Sequence, residues 1–159
     1  MKKTLSLILF LFISYSTEAQ VVISYEYAVA NNISKDSLDS MYETATNYLG
    51  EGVFDKSEQQ AFMKRYFDLH SKLAQYLFKK GLRWDRLIKV PFYTYVDSTG
   101  SFDHIIINLK FTDFNEVEKA NFISWTADFI KENSTFIKAS KSYRQCSTVP
   151  YAKIKYSEK

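Results

Sequence analysis

The chain has 159 residues, a formal net charge of +3, 46% hydrophobic residues, 25% charged residues and an aromatic content of 17%. This length and apolar content suit one packed domain and exclude an intrinsically disordered chain. The four glycines are too scattered for a G-x-G-x-x-G or P-loop phosphate site, which excludes these two nucleotide-binding classes. The single cysteine, Cys146, excludes an intramolecular disulfide and a cysteine-based zinc site, and we expect no cofactor and no bound metal.

Residues 1–19 have the pattern of a cleavable secretory signal. Lys2 and Lys3 precede an apolar run over residues 5–13, and Thr17 and Ala19 supply small residues at positions −3 and −1 of the cleavage site. The apolar run is too short to cross a membrane as a helix, which takes about 20 residues. The sequence therefore predicts a periplasmic or secreted protein with no integral membrane segment after cleavage.

The charge of the mature chain bears on the kind of partner it has. Cleavage after Ala19 removes Lys2, Lys3 and Glu18, which leaves a net charge of +2. The remaining basic residues are scattered along the chain rather than clustered. A nearly neutral chain without a basic patch argues against nucleic acid as a partner.

The first part of the mature chain, residues 20–56, is predicted to form a strand and a helix. Apolar residues alternate at period two over residues 21–29, which favours a strand. Ser34 or Asp36 is a candidate N-cap for a helix that runs to Leu49.

The main domain, residues 57–159, is predicted to begin with a long amphipathic helix. Ser57 and Gln60 have the spacing of a capping box, and Gly81 is a candidate end of the helix. Apolar residues recur at steps of three and four, and we interpret this stripe as core. Its members are Phe62, Tyr66, Leu69, Leu73, Tyr76 and Leu77.

A hairpin and a second helix follow. Residues 87–96 and 102–109 are rich in β-formers and flank a short Asp/Ser/Gly turn, which is typical of a hairpin. Asn115 is a candidate N-cap with Glu118 at the third helical position, and this helix is predicted to run to about Lys131.

The last predicted element is a strand over residues 149–156, after a polar stretch that ends at Thr148. Alternation of residues on two faces supports this strand. Together the elements predict an α+β fold in which an antiparallel sheet has helices packed on one face.

Neither histidine nor the cysteine stands in a catalytic pattern. His70 lies two residues after Asp68 and points to a different side of its helix, and His104 directly follows Asp103 on a strand. Cys146 lacks the flanking pattern of a nucleophile. No spacing singles out two carboxylates as a general acid and base, so we expect a non-enzymatic protein with no catalytic residues.

From Phe62 onward, the order of features resembles the TonB C-terminal domain family. The segments that carry the resemblance are residues 73–84, residues 90–100 ending in Val-Asp-x-x-Gly, residues 102–109, the helix from Glu116, Phe136-x-Lys138-Ala139 and the Val-Pro-Tyr of residues 149–151. Energy-transducing members of that family also carry an inner-membrane helix and a Pro-rich spacer, and neither is recognised in this sequence.

The resemblance implies a β-β-α-β unit, preceded here by a strand and two helices, whose last strand lies at a sheet edge. Such an edge offers unpaired N–H and C=O groups to an extended peptide, for example the N-terminal segment of an outer-membrane transporter. The peptide-binding residues implied in this way are Tyr151, Lys153, Ile154, Lys155 and Tyr156.

The expected function is therefore that of an exported protein- or peptide-binding domain with a link to outer-membrane transport. The alternative is a periplasmic carrier of a small apolar ligand or lipid with an α+β fold. That alternative is suggested by the tyrosines and phenylalanines on both strands of the hairpin.

Overall fold

Strands and helices alternate irregularly in the computed structural model, which describes residues 21–46 and 51–152. The elements within these ranges are β1 (Val22–Ser24), α1 (Tyr25–Ala30), α2 (Lys35–Met41), β2 (Glu43–Thr44), α3 (Gln59–Lys80), β3 (Ile88–Val96), β4 (Phe102–Ile107), α4 (Glu116–Glu132) and β5 (Tyr143–Tyr151).

The five strands form one sheet in the order β1-β4-β3-β5-β2. The three central strands are antiparallel, and β3 pairs with β5 along its whole length, from Ile88 opposite Tyr151 to Val96 opposite Tyr143. The two outer strands add in parallel, β1 to β4 and β2 to β5. The expected α+β fold is confirmed, with a sheet that is mixed because its outer pairs are parallel.

The two long helices, α3 and α4, pack on one face of the sheet and form the main core. The stripe predicted on α3 is confirmed, because Phe62, Tyr66, Leu73 and Leu77 are buried there. Each buried aromatic side chain removes roughly 150–250 Å² from water, and rings from both helices and the sheet contact one another in this layer. The aromatic content of the chain is therefore largely a property of its core.

The short helices α1 and α2 cover part of the opposite face. There Ile23, Ala28, Leu38, Tyr95 and Ile106 form a second, smaller cluster of buried side chains. Strands and helices from residues 20–56 thus share the sheet and both cores with residues of the main domain.

Local signals fix the turn of the β3–β4 hairpin. Asp97 Oδ1 accepts hydrogen bonds from the Thr99 hydroxyl and the Ser101 N–H, at 2.7 and 2.9 Å. Gly100 has φ +91°, and a Cβ at this position would lie 3.1 Å from the Ile137 carbonyl carbon. Both the backbone conformation and the close approach of the chain after α4 require glycine here.

The helix boundaries follow capping groups. Asn115 and Glu118 form the predicted capping box at the start of α4, which runs to Glu132 as expected. At the start of α3 the box predicted at Ser57 is wrong, because Asp55 Oδ1 accepts from the Glu58 N–H while Glu58 Oε2 accepts from the Asp55 N–H. The C-cap of α3 is Gly81, as predicted, in the left-handed conformation.

Three predicted elements have different boundaries in the structure. The strand predicted over residues 21–29 ends at Ser24, because the Ser24 side chain accepts from the Tyr27 N–H and starts α1. The helix predicted to reach Leu49 ends at Met41, and residues 47–50 lie outside the described residues. The last strand begins at Tyr143 instead of Val149, because nine residues of β3 are available to pair with it.

Candidate functional site

The sequence assigned peptide binding to the last strand at Tyr151 and residues 153–156, and the outer edge of β5 is the described part of that strand. The amides of Glu43 and Ala45 donate to the carbonyls of Ser142 and Arg144, which shows that even-numbered residues of β5 direct their backbone groups away from β3. Farther along β5, the same alternation directs three more residues away from β3. The backbone groups that point outward there are the N–H and C=O of Cys146 and Thr148 and the C=O of Pro150.

We call residues 146–150 the β5 window. Within the described part of the chain, β2 pairs only with Tyr143 and Arg144, and no strand pairs with the outward side of the window. Its far end is closed by Trp84, whose Nε1 donates to the Ala152 carbonyl at 2.9 Å. As far as residues 21–46 and 51–152 show, the window is therefore a short stretch of unpaired strand edge between two capped ends.

One flank of α3 lies above the window. Tyr76 faces α4, because its ring centroid is 5.5 Å from that of Phe129. With about 100° per residue along a helix, Met63, Phe67 and Ala74 lie on the flank opposite Tyr76. We call these three residues the α3 ledge.

Contacts at one end of the ledge place it over the outer side of β5. Met63 Sδ lies 4.0 Å from Thr46 Oγ1, and Thr46 Oγ1 lies 3.4 Å from Gln145 Oε1. Phe67, the next ledge residue, is 50% exposed. A strand added at the window would thus lie beside an exposed aromatic side chain.

Of the five predicted peptide-binding residues, the structure describes only Tyr151. The Tyr151 side chain is 3% exposed and points into the main core, so its ring is not the surface contact that the sequence suggested. Lys153, Ile154, Lys155 and Tyr156 lie outside the described residues. Their role in peptide binding stays a prediction.

A polar pair beneath α3 fixes Tyr151 in the core. His70 Nδ1 is 3.0 Å from the Tyr151 hydroxyl, and both side chains are buried. Burial lowers the pKa of His70 to about 3, so the imidazole is neutral at physiological pH. Nearby, the Tyr66 hydroxyl is 2.7 Å from Ser147 Oγ, which joins α3 to β5. The imidazole is buried beneath α3, so we interpret this arrangement as structural.

On the opposite face, charged groups attach α2 to β5. Arg144 Nη1 donates to the Asp39 and Tyr42 carbonyls, the first at 2.6 Å, and Arg144 Nε is 3.4 Å from Asp39 Oδ1. The Tyr95 hydroxyl also donates to Asp39 at 2.9 Å. Burial opposes ionisation of Asp39, but hydrogen bonds from Lys35 and Tyr95 outweigh it and lower the pKa of this carboxyl.

Cys146 lies next to this cluster but is poorly suited to nucleophilic chemistry. Burial and the negative charge of Asp39 raise the pKa of the Cys146 thiol. The reactive form of cysteine is the thiolate, so a raised pKa reduces its reactivity at neutral pH.

Asp103 and His104 are adjacent in the sequence but have different surroundings in the structure. The Tyr42 hydroxyl donates to Asp103 Oδ2 at 2.7 Å. Among the described residues, His104 Nδ1 is buried without a hydrogen-bond partner, and no group of three or more His, Cys, Asp or Glu residues could hold a metal ion.

A large open cleft lies at the other edge of the sheet, between β1 and α4. Its volume is about 1140 Å³, above the roughly 300–1,000 Å³ of ordinary ligand pockets. Its floor is apolar and is formed by Val22, Phe102, Leu109, Ile123 and Ile130. We call it the β1–α4 cleft.

Sequence reasoning missed the β5 window, because the residues from Tyr143 to Thr148 are mostly polar on both faces. Pro150 was the available signal, since proline within a sheet is confined to positions whose N–H has no strand partner. Phe67 was also missed, and its place just outside the apolar stripe of α3 was the signal for it.

The chain matches no family model, and no curated protein or solved structure is significantly similar to it. Within residues 21–46 and 51–152, no helix is long and apolar enough to span a membrane.

Proposed function

We propose that this chain is an exported, non-enzymatic binding protein that takes up an extended peptide by strand addition at the outer edge of β5. The observation that carries the proposal is the β5 window, in which the backbone groups of Cys146 and Thr148 face away from the sheet. In strand addition, backbone hydrogen bonds give affinity and pockets for alternate side chains give selectivity.

The surroundings of the window favour a short, partly apolar peptide. Two N–H donors and three C=O acceptors point outward over residues 146–150, so a partner of about five residues satisfies them. Alternate side chains of that partner lie against Phe67 and Met63 of the α3 ledge. The net charge of the chain is small, so electrostatic attraction does not require a strongly charged peptide partner.

The resemblance to the TonB C-terminal domain family supports the choice of partner. In our proposal the peptide is the N-terminal segment of an outer-membrane transporter, which the exported chain meets in the periplasm. The proposed site also includes Lys153, Ile154, Lys155 and Tyr156, which the resemblance implies as peptide-binding residues.

Proline substitution in the window tests the proposal. Thr148→Pro removes one of the two outward N–H groups, and Pro150 already occupies the equivalent outward position two residues later. We expect this variant to bind a synthetic transporter N-terminal peptide roughly tenfold more weakly or worse, which corresponds to about 1.4 kcal/mol. Thr148→Val keeps the N–H and should bind like the parent, as measured by isothermal titration calorimetry.

The α3 ledge gives an independent variant. Phe67→Ser should weaken the same peptide, whereas Phe111→Ser, which removes an aromatic ring that is 77% exposed elsewhere, should not. Equal affinities for Thr148→Pro and Thr148→Val, or no saturable binding of any transporter peptide to the parent protein, would exclude the β5 window as the site.

A further inference from the structure

The second edge of the sheet also has free backbone groups. The Ile105 N–H donates to the Val21 carbonyl at 2.7 Å, so Val21 and Ile23 bond toward β4. By the alternation of a strand, Val22 directs its N–H and C=O away from β4, and Ser24 directs its N–H the same way. Among the described residues, no strand pairs with that side of β1.

Val22 and Ser24, which carry these outward groups, both line the β1–α4 cleft. Its apolar floor is continuous with the main core, since Val22 is 1% exposed and Phe102 is 7% exposed. A cleft bounded by a strand edge on one side and a helix on the other fits an extended peptide, which satisfies the edge and buries alternate side chains. An acyl chain fills the floor but leaves the outward groups of β1 without partners.

The charged side chains that line the cleft indicate which kind of ligand it binds. Lys119 is already bound to Glu116, with Nζ 2.8 Å from Oε1. Glu26 and Asp128 then remain against Lys131, which leaves an excess of negative charge. This balance disfavours an anionic lipid head group and favours a peptide that carries basic residues beside its apolar ones.

The chain that would precede β1 in the exported protein is too short to occupy the cleft. Val21 lines the cleft, and after the proposed cleavage at Ala19 a single residue, Gln20, precedes it. One residue is too short to turn and pair with β1. This step rests on the leader removal included in the proposed function.

From these observations we infer that the β1–α4 cleft is a second peptide site, where an extended apolar segment with a basic flank, from another protein, adds as a strand to β1. A short strand already adds in parallel near the other edge of this sheet, where β2 pairs with β5 over Glu43 and Thr44. The site is independent of the β5 window, which lies at the opposite edge of the sheet.

A designed probe peptide tests this inference on protein purified after export and leader removal. The probe alternates valine and threonine and has a lysine at each end, and its partner probe has glutamate at each end. We expect the lysine probe to shift the backbone amides of Val22 and Ser24 in heteronuclear NMR spectra. We also expect it to bind roughly tenfold more tightly than the glutamate probe.

Matched variants separate this site from the β5 window. Ala120→Trp fills the cleft from an exposed position on α4, whereas Ala61→Trp adds the same ring at an exposed position on α3 outside the cleft. Ala120→Trp should abolish the shifts at Val22, and both Ala61→Trp and Thr148→Pro should leave them unchanged.

Three results would overturn the inference. The first is parent-like binding of the lysine probe by Ala120→Trp. The second is the absence of shifts at Val22 and Ser24 with the lysine probe. The third is a response of cleft amides to palmitate but not to the probe, which would assign the cleft to an apolar ligand and support the carrier function instead.

Discussion

His70 is a residue whose role is clear only from the structure. In sequence it lies two residues after Asp68 without a catalytic pattern, and in the fold its ring contacts Phe92 and Tyr66 and is hydrogen-bonded to Tyr151. Its pKa of about 3 results from burial, which penalises the charged imidazolium. The lowered pKa of His70 therefore affects the stability of the fold and does not indicate a catalytic role.

The pH dependence of folding checks this account of His70. Because the folded pKa of His70 is lowered from 6.5 to about 3, the unfolded chain binds the proton in that interval and the folded chain does not. The free energy of unfolding should therefore fall as the pH is lowered, by about 1.4 kcal/mol per pH unit at most from this group. His70→Gln should show a flatter curve between pH 6.5 and 4 in urea titrations, and the same slope as the parent would contradict the assignment.

Residue patterns predicted the core better than the site. The aromatic and leucine stripe of α3 follows from period 3.6. Four of its six members are buried, and Leu69 and Tyr76 are partly buried. Tyr151 was expected to bind peptide because of the family resemblance, whereas contacts with His70 and Trp84 from distant parts of the chain bury its side chain. Such contacts are not encoded in local spacing.

At the scale of elements, α2 and β2 depend on contacts with β5. Arg144 donates to the carbonyls of Asp39 and Tyr42 at the end of α2, and its guanidinium also neutralises the Asp39 carboxylate. Favourable charge at a helix C-terminus and satisfied carbonyls both contribute here. The segment that narrows the β5 window is thus attached to β5 by Arg144 as well as by the backbone hydrogen bonds of Glu43 and Ala45.

Substitution of Arg144 tests how much its contacts with the end of α2 contribute to stability. Arg144→Met leaves the partly buried Asp39 carboxylate without its guanidinium partner, and we expect a loss of about 1–3 kcal/mol in the free energy of unfolding. Lys35 still pairs with Asp39 in that variant, so we expect Arg144→Met and Asp39→Asn to be coupled only through the lost guanidinium–carboxylate contact. A double-mutant cycle from urea unfolding measures the coupling, and strictly additive losses would contradict it.

Elements were predictable where their signals are local. The β3–β4 hairpin and α4 follow from the Asp97–Ser101 turn and from the capping box of Asn115 and Glu118. β2 has only two residues and no pattern of its own, so pairing with β5 alone defines it. α1 was missed because apolar alternation over residues 21–29 outweighed the capping signal of Ser24.

At the scale of the whole molecule, each long helix accompanies one edge of the sheet. α3 lies over β5 with Phe67 exposed beside the β5 window, and α4 borders the β1–α4 cleft. The fold thus presents two helix-flanked strand edges at opposite ends of one sheet. This arrangement carries the proposal that the chain is a binding protein for extended peptides.

Hydrogen exchange at single amides tests this central claim most directly. In the free protein the outward amides of Cys146 and Thr148 should exchange quickly, while the amides of Ser147 and Val149, which bond to β3, should exchange slowly. Saturation with a transporter N-terminal peptide is predicted to slow exchange at Cys146 and Thr148 and to leave Ser147 and Val149 unchanged. Unchanged exchange at Cys146 and Thr148 with the peptide bound would contradict strand addition at β5.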